Sequence, residues 1–289
     1  MQIAKDTVGS ARMSLRPLVE DFSLEMTAKD HRALADAASC LSSQTRIAVT
    51  SLPNDEIAAR VGTAALIRKL GHVPVPHISA RRLSSAEEFD DLLRQLASEA
   101  AIDRVFVVGG DVRVPVGPYP DAISLIATGA LARYGLRRVG IAGYPDGHPA
   151  IPSSELRRVL LEKVRLLRES GIEPIVATQF SFDIDAILIW LESLRQDGIS
   201  STVRIGVPGP TSAKSLLAFA ARCGVSASTS VLKKYGVSIT QLLSSVGPDN
   251  LLKEFGQRLD AKRHGHVKLH FYPFGGLGAT ARWAQGLLR

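Results

Sequence analysis

The chain has 289 residues, 45% of them hydrophobic, and 35 Lys and Arg stand against 28 Asp and Glu for a formal net charge of +7. That length slightly exceeds the roughly 250 residues typical of an eight-fold β/α barrel and supports a sizeable core. The basic residues are dispersed, which argues against a nucleic-acid partner, and no apolar stretch reaches the ~18 residues of a membrane span.

A modest positive field suits small anionic ligands such as phosphates and carboxylates. The two cysteines, Cys40 and Cys223, form no CxxC or Cys/His cluster, so neither a metal site nor a disulfide framework is expected. Both read as buried small hydrophobes in a reducing compartment. The opening MQIAKDTVGSARMSLRPL has no continuous apolar core, so it does not read as a signal peptide, and a cytoplasmic location is expected.

Residues 1–20 are expected to be a leader or a short capping helix, and 21–289 a single barrel domain. A series of short apolar runs follows, most of them closed by a polar group. In order the run ends are Glu25 (FSLE), Thr50 (RIAVT), His77 (VPVPHIS), Asp111 (RVFVVGGD), Tyr144 (RVGIAGY), Gln179 (PIVATQ), Pro208-Gly209 (VRIGVPG) and Tyr272 (VKLHFY). The unbroken β-branched character of RIAVT suits a strand covered on both faces. The two prolines of VPVPHIS weaken its strand reading, since proline cannot donate to a ladder.

Helical patterns fill the intervals. Asn54-Asp55 is placed to cap the helix DEIAARVGTAALIRKL, and Ser84 with Glu87 forms a capping-box pattern before the helix that reaches Ala101. DAISLIATGALARYG and ELRRVLLEKVRLLRES are the next helices. Residues 226–264 read as a helical insertion before the last strand. Strand-to-strand intervals of roughly 25 to 35 residues match βα units. The expected fold is therefore a (β/α)8 TIM barrel. A doubly wound open sheet is the rival, but no GxGxxG follows any strand.

In such a barrel the catalytic groups sit at the C-terminal ends of the strands, so these run ends nominate the site. Glu25 lies in an apolar run, where desolvation would raise its pKa and fit it for general-acid work; a solvated strand-end glutamate is the alternative. Asp111 follows Gly109-Gly110, which would let a flat ligand approach the backbone, or it simply caps the next loop. His77 is either a donor to a ring ligand or a satisfied core histidine. His148 lies on the loop GYPDGHP over the mouth. Gln179 offers both donor and acceptor to a heterocycle edge. Lys163 reads as part of a solvated helix face, and GGLG at 275–278 is either an anion cradle or a tight turn.

Taken together, several segments resemble the methylenetetrahydrofolate reductase family. FSLEM is similar to its first-strand SFE segment, PHIS to PHLT, VVGGD to its RGD-type segment, AGYPDGHP to YPExHPE, ATQFSFD to ITQFFFD and HFYPF to HFYTL. The matches keep family order across residues 21 to 274. The resemblance implies a (β/α)8 barrel that reduces 5,10-methylenetetrahydrofolate to 5-methyltetrahydrofolate with NADH or NADPH, the hydride passing through bound FAD. It implies Glu25 as the acid that assists ring opening, Asp111 facing pterin and flavin, and Gln179 bonding the folate. Thr50, His77, Gly110, Asp111, Tyr144, His148 and Lys163 would fall on flavin contacts. The chain departs from the family where Gly109 replaces an arginine, where Leu156 replaces an acidic residue, and at Phe274-Gly275-Gly276.

Two other readings remain open at this level. One is a flavin-free reductase with direct hydride transfer from NADH. The other is a non-reducing pterin- or folate-binding protein that handles methyl groups. The expected partner is a small folate, not nucleic acid or membrane, and homo-oligomerisation is left open.

Overall fold

The computed structural model describes residues 15–53, 55–222 and 247–288. Eight parallel strands close into a barrel in sequence order: β1 (Ser23–Met26), β2 (Arg46–Val49), β3 (Val73–Ser79), β4 (Arg104–Val108), β5 (Arg138–Gly143), β6 (Glu173–Phe180), β7 (Val203–Pro208) and β8 (Val267–Tyr272). Closure is made by β1 against β8, with Ser23 opposite His270 and Leu24 opposite Phe271. The expected barrel is thus observed, and the open sheet is excluded.

Around it run α1 (His31–Ala38), α2 (Ile57–Lys69), α3 (Ala86–Ala100), α4 (Ala122–Ile126), α5 (Ala130–Arg133), α6 (Ser153–Glu169), α7 (Ile184–Gln196), α8 (Ala213–Arg222), α9 (Asp249–Arg258), α10 (Ala261–His264) and α11 (Leu277–Gly286). Among the described residues, none of these helices is long and apolar enough to cross a membrane. Strand alternation divides the barrel wall. Leu24, Ile47, Val49, Val105, Val107, Val139 and Ile141 face outward under the helices and are fully buried. The intervening residues face the lumen.

Local sequence explains most elements and corrects some expectations. The prolines of β3 do not break the strand. The β3–β4 ladder begins at His77, beyond both Pro74 and Pro76, so their missing N–H groups cost no bond on that side. The helix expected over 121–135 is two helices, because Gly129 at φ 70 interrupts it between α4 and α5. Asp121 caps the first of them through the Ser124 N–H. The cap of α3 is Ser85, one residue later than the Ser84–Glu87 pattern predicts: Ser85 accepts from the Glu88 N–H, while Glu88 reaches past the cap to the Ser84 N–H.

Asp55 does not cap α2; it accepts from the Leu52 N–H at 3.0 Å, and the N-cap Glu56 makes no side-chain bond. Asn54 lies outside the described residues, as do Cys223 and the 223–246 part of the expected insertion. Of the expected leader, residues 1–14 lie outside them too, while 15–19 form a helical turn whose Leu15, Leu18 and Val19 are buried. Cys40 is half-buried, contrary to the expectation of a core residue.

Candidate functional site

Positions inside a small barrel are ordinarily filled by bulky branched side chains. Here Ala48, Gly140 and Ala177 occupy inward positions on β2, β5 and β6, and a cavity of about 250 Å³ remains in the lumen. Gly140 has a further role: a Cβ there would lie 2.3 Å from Phe106. Its absence leaves room for the Phe106 ring, which packs on His77, its partner on the neighbouring strand, with centroids 4.7 Å apart. Tyr272 faces the same space, edge-on to His270 at 5.0 Å, and its hydroxyl donates to the Thr178 carbonyl at 3.0 Å.

The chemistry centres on Glu25. Its Oε2 lies 3.6 Å from His270 Nε2 and 3.9 Å from His77 Nε2, with all three side chains largely buried. Burial pushes the Glu25 carboxyl up, but the hydrogen bond to His270, with smaller electrostatic contributions from His77 and His270, outweighs it, and the net pKa is lowered. This corrects the expectation of a raised pKa: Glu25 is held as a carboxylate. Burial drives His77 the other way, to about 4, a shift that Glu25 opposes and that His270 and Arg60 reinforce. The pair therefore rests as carboxylate and neutral imidazole.

His270 is oriented from below. Ser23 Oγ lies 2.8 Å from His270 Nδ1 and accepts from Arg204 Nη1 at 3.5 Å. The Glu25 carboxylate can only accept, so the His270 proton is assigned to Nε2, facing it; Nδ1 then accepts from the Ser23 hydroxyl at 2.8 Å, a closer acceptor than the Leu269 carbonyl at 3.5 Å. Ser23→Ala should release that orientation. The Glu25 carboxyl should then titrate higher than in the wild type, read by its 13C shift, and stability should fall by about 1 kcal/mol. An unchanged Glu25 titration would overturn the assignment.

The other nominated residues divide. Thr50 follows β2 on the inward parity of Arg46 and Ala48, and its buried Oγ1 has no hydrogen-bond partner among the described residues. Gln179 follows Ala177 on the same parity, above an irregularity in the β6–β7 register; its Oε1 accepts from the Phe180 N–H at 3.1 Å, and its amide nitrogen makes no hydrogen bond among the described residues. Gly110, at φ 97, packs against Ser79 and turns the chain at the mouth.

Asp111 does not face the lumen. Its side chain is 69% exposed and pairs with Arg82 Nη2 at 2.5 Å. Tyr144 packs edge-on against His148 at 5.4 Å and lines a separate cleft between α6 and α7 that also holds Trp190. His148 accepts from the Ala150 N–H, so its loop is tied to itself. Lys163 is not on a solvated face: it is buried in α6, and burial, partly offset by Asp121, lowers its pKa to about 8. The GGLG turn is a close contact, since a Cβ on Gly275 would lie 2.1 Å from the Pro210 carbonyl oxygen.

His270, Ser23 and Phe106 are not among the nominated residues. The signal for His270 was available: it sits two residues before Tyr272 in VKLHFY, on the same strand face. Among the described residues, no group of three or more His, Cys, Asp or Glu has a metal-holding arrangement.

No family model matches the chain. Among solved structures, it is similar to an uncharacterized protein from Clostridium thermocellum that binds two copies of 5-methyl-5,6,7,8-tetrahydrofolic acid, at 11% identity and a TM-score of 0.61, covering 92% of this chain and 95% of that one. It is also similar to dihydropteroate synthase from Thermus thermophilus, at 12% identity and a TM-score of 0.51, covering 93% and 94%. At these identities the likeness concerns the barrel fold alone.

Proposed function

We propose that the barrel binds a reduced folate with its pterin over the lumen mouth and reduces the N5,N10-methylene bridge to an N5-methyl group, using hydride from NADH or NADPH. The observation that carries this reading is the ionised Glu25 set between two imidazoles in a cavity walled by Phe106 and Tyr272. In the reaction the bond from N10 to the bridging carbon breaks, and its electron pair goes to N10, which takes a proton from solvent. The bridge is left as an N5 iminium cation, and hydride adds to its carbon. A fixed, largely buried carboxylate stabilises such a cation better than bulk water does. The aromatic walls suit a flat bicyclic ring, and the free amide end of Gln179 suits its polar edge. The folate named for the Clostridium thermocellum barrel belongs to the product class of this reaction.

The flavin expectation fits in part. Thr50, His77 and Gly110 border one side of the mouth, and the orphaned Thr50 hydroxyl wants a partner. Asp111 is tied to Arg82, Tyr144 lines the separate cleft with His148 packed against it, and Lys163 is buried within α6, so four of the expected contacts turn elsewhere. No step is therefore routed through FAD. Those four displacements favour, as a second reading, direct transfer from the nicotinamide.

The test is NADH consumption on addition of methylenetetrahydrofolate, together with the visible spectrum of the purified protein. Folate-dependent consumption by a yellow preparation supports the flavin route. The same consumption by a colourless one supports direct transfer. Folate binding without consumption would overturn the reductase and leave a folate-binding protein, and no binding would overturn both.

A further inference from the structure

The lumen cavity has a second end. At the N-terminal mouth of the barrel it is lined by four arginines, Arg46, Arg104, Arg138 and Arg204, near the starts of β2, β4, β5 and β7. Their side-chain exposure falls inward, from 39% at Arg138 and 25% at Arg46 to 11% at Arg104 and 9% at Arg204. The facing acids lie on the outer side: Asp21, Asp103 and Glu173 are 40%, 34% and 52% exposed. Asp21 serves both Arg46 and Arg204, and Asp103 serves both Arg104 and Arg138. Four guanidiniums thus meet three carboxylates, an excess of one positive charge, with the cations innermost.

Donors are left over. Arg46 has Asp21 as its one polar partner among the described residues. Arg104 engages Asp103 through Nε and Nη2, and its Nη1 makes no hydrogen bond there. Burial, and then the neighbouring arginines, lower Arg46 to about 10; burial and Arg104 do the same to Arg204. An arginine network at this end of a barrel ordinarily serves stability alone. A hollow, cation-lined funnel with unused guanidinium donors does more than a plug requires.

We propose that this N-terminal mouth binds a small oxyanion of the phosphate type. Guanidinium forks present paired donors at the spacing of oxyanion oxygens, and a dianion relieves the repulsion among the four. The site lies at the opposite end of the lumen from the Tyr272 and His77 side chains and does not depend on the folate reading.

Calorimetric titration of the whole protein with inorganic phosphate, against chloride at matched ionic strength, tests it. Phosphate should bind saturably, and chloride should not reproduce the heat. Arg46→Gln, at the rim, should weaken phosphate about tenfold. Asp21→Asn should strengthen it by roughly a few-fold, because a competing carboxylate is removed. Asp21 sits at φ 67, a conformation asparagine also adopts, so this variant keeps the backbone. Opposite responses of the two variants place the anion in the funnel. Equal heats with phosphate and chloride, an unchanged affinity in Arg46→Gln, or weaker binding in Asp21→Asn would each overturn the proposal while leaving the folate reading intact. Should Arg46→Gln fail to fold, Asp21→Asn decides alone.

Discussion

Glu25→Gln should lower folate-dependent turnover by about 10²- to 10³-fold while methyltetrahydrofolate binding changes by less than about tenfold. The substitution keeps the shape of the side chain and its carbonyl acceptor but removes the charge. In the proposed reaction that charge acts on the iminium cation, which exists only after the ring opens. The methyl product carries no such cation, so its affinity should hardly move. A loss concentrated in kcat is the signature of an interaction made in the transition state. The pH profile follows from the lowered pKa of Glu25: wild-type kcat should stay level through neutrality and fall only as the medium becomes acidic enough to protonate that carboxyl. Parallel loss of binding and turnover would make Glu25 a binding group and remove it from the chemistry.

Much of the barrel was legible because parallel strands buried on both faces read as continuous apolar runs, and each of the eight runs contributes a strand. Strand ends pointed to Glu25 and His77, which do converge. Their convergence itself was not legible. It depends on closure of β1 onto β8, between residues more than two hundred positions apart, and that closure brings His270 beside Ser23 and Glu25. The sign of the Glu25 shift was lost for the same reason: an apolar run predicts desolvation but says nothing of an imidazole arriving from the far end of the chain.

Asp111 failed differently. The Gly-Gly-Asp spacing places it past the end of β4, but Gly110 at φ 97 turns the chain and Arg82 captures the carboxylate. That partner comes from the 3-10 turn Ala80–Arg82, which also holds the loop through the Arg81 side chain and the Pro120 carbonyl. Lys163 shows the limit of helical patterning. A lone lysine among arginines and glutamates reads as solvated, yet α6 packs that face against α4, close enough for Asp121 to feel its charge. The arginine funnel was not legible because chemistry in a barrel is expected at the C-terminal strand ends, while Arg46, Arg104 and Arg138 each begin a strand.

Acid should destabilise this protein through His77, and His77→Gln should remove that sensitivity. The folded-state pKa of His77 is about 4 against an ordinary 6.5, because burial disfavours the imidazolium. Between those values the unfolded chain binds the proton and the folded chain does not, so stability falls as the pH drops from 6.5 towards 4. At about 1.4 kcal/mol per unit the difference amounts to about 3 kcal/mol, a large share of the stability of an ordinary domain. The side chain is only 14% exposed, so solvent screening does not erase the effect. Glu25 acts in the same direction but lower: its lowered pKa contributes stability above the ordinary value of 4.5, lost as the pH falls further. Urea unfolding from about pH 7 to about pH 3 separates the two. The wild type should lose about 3 kcal/mol more than His77→Gln across the histidine window, and the two should run in parallel below it. Equal slopes above pH 4.5 would mean that His77 takes up its proton in the folded state. The assignment of a neutral imidazole beside Glu25 would then be lost with it.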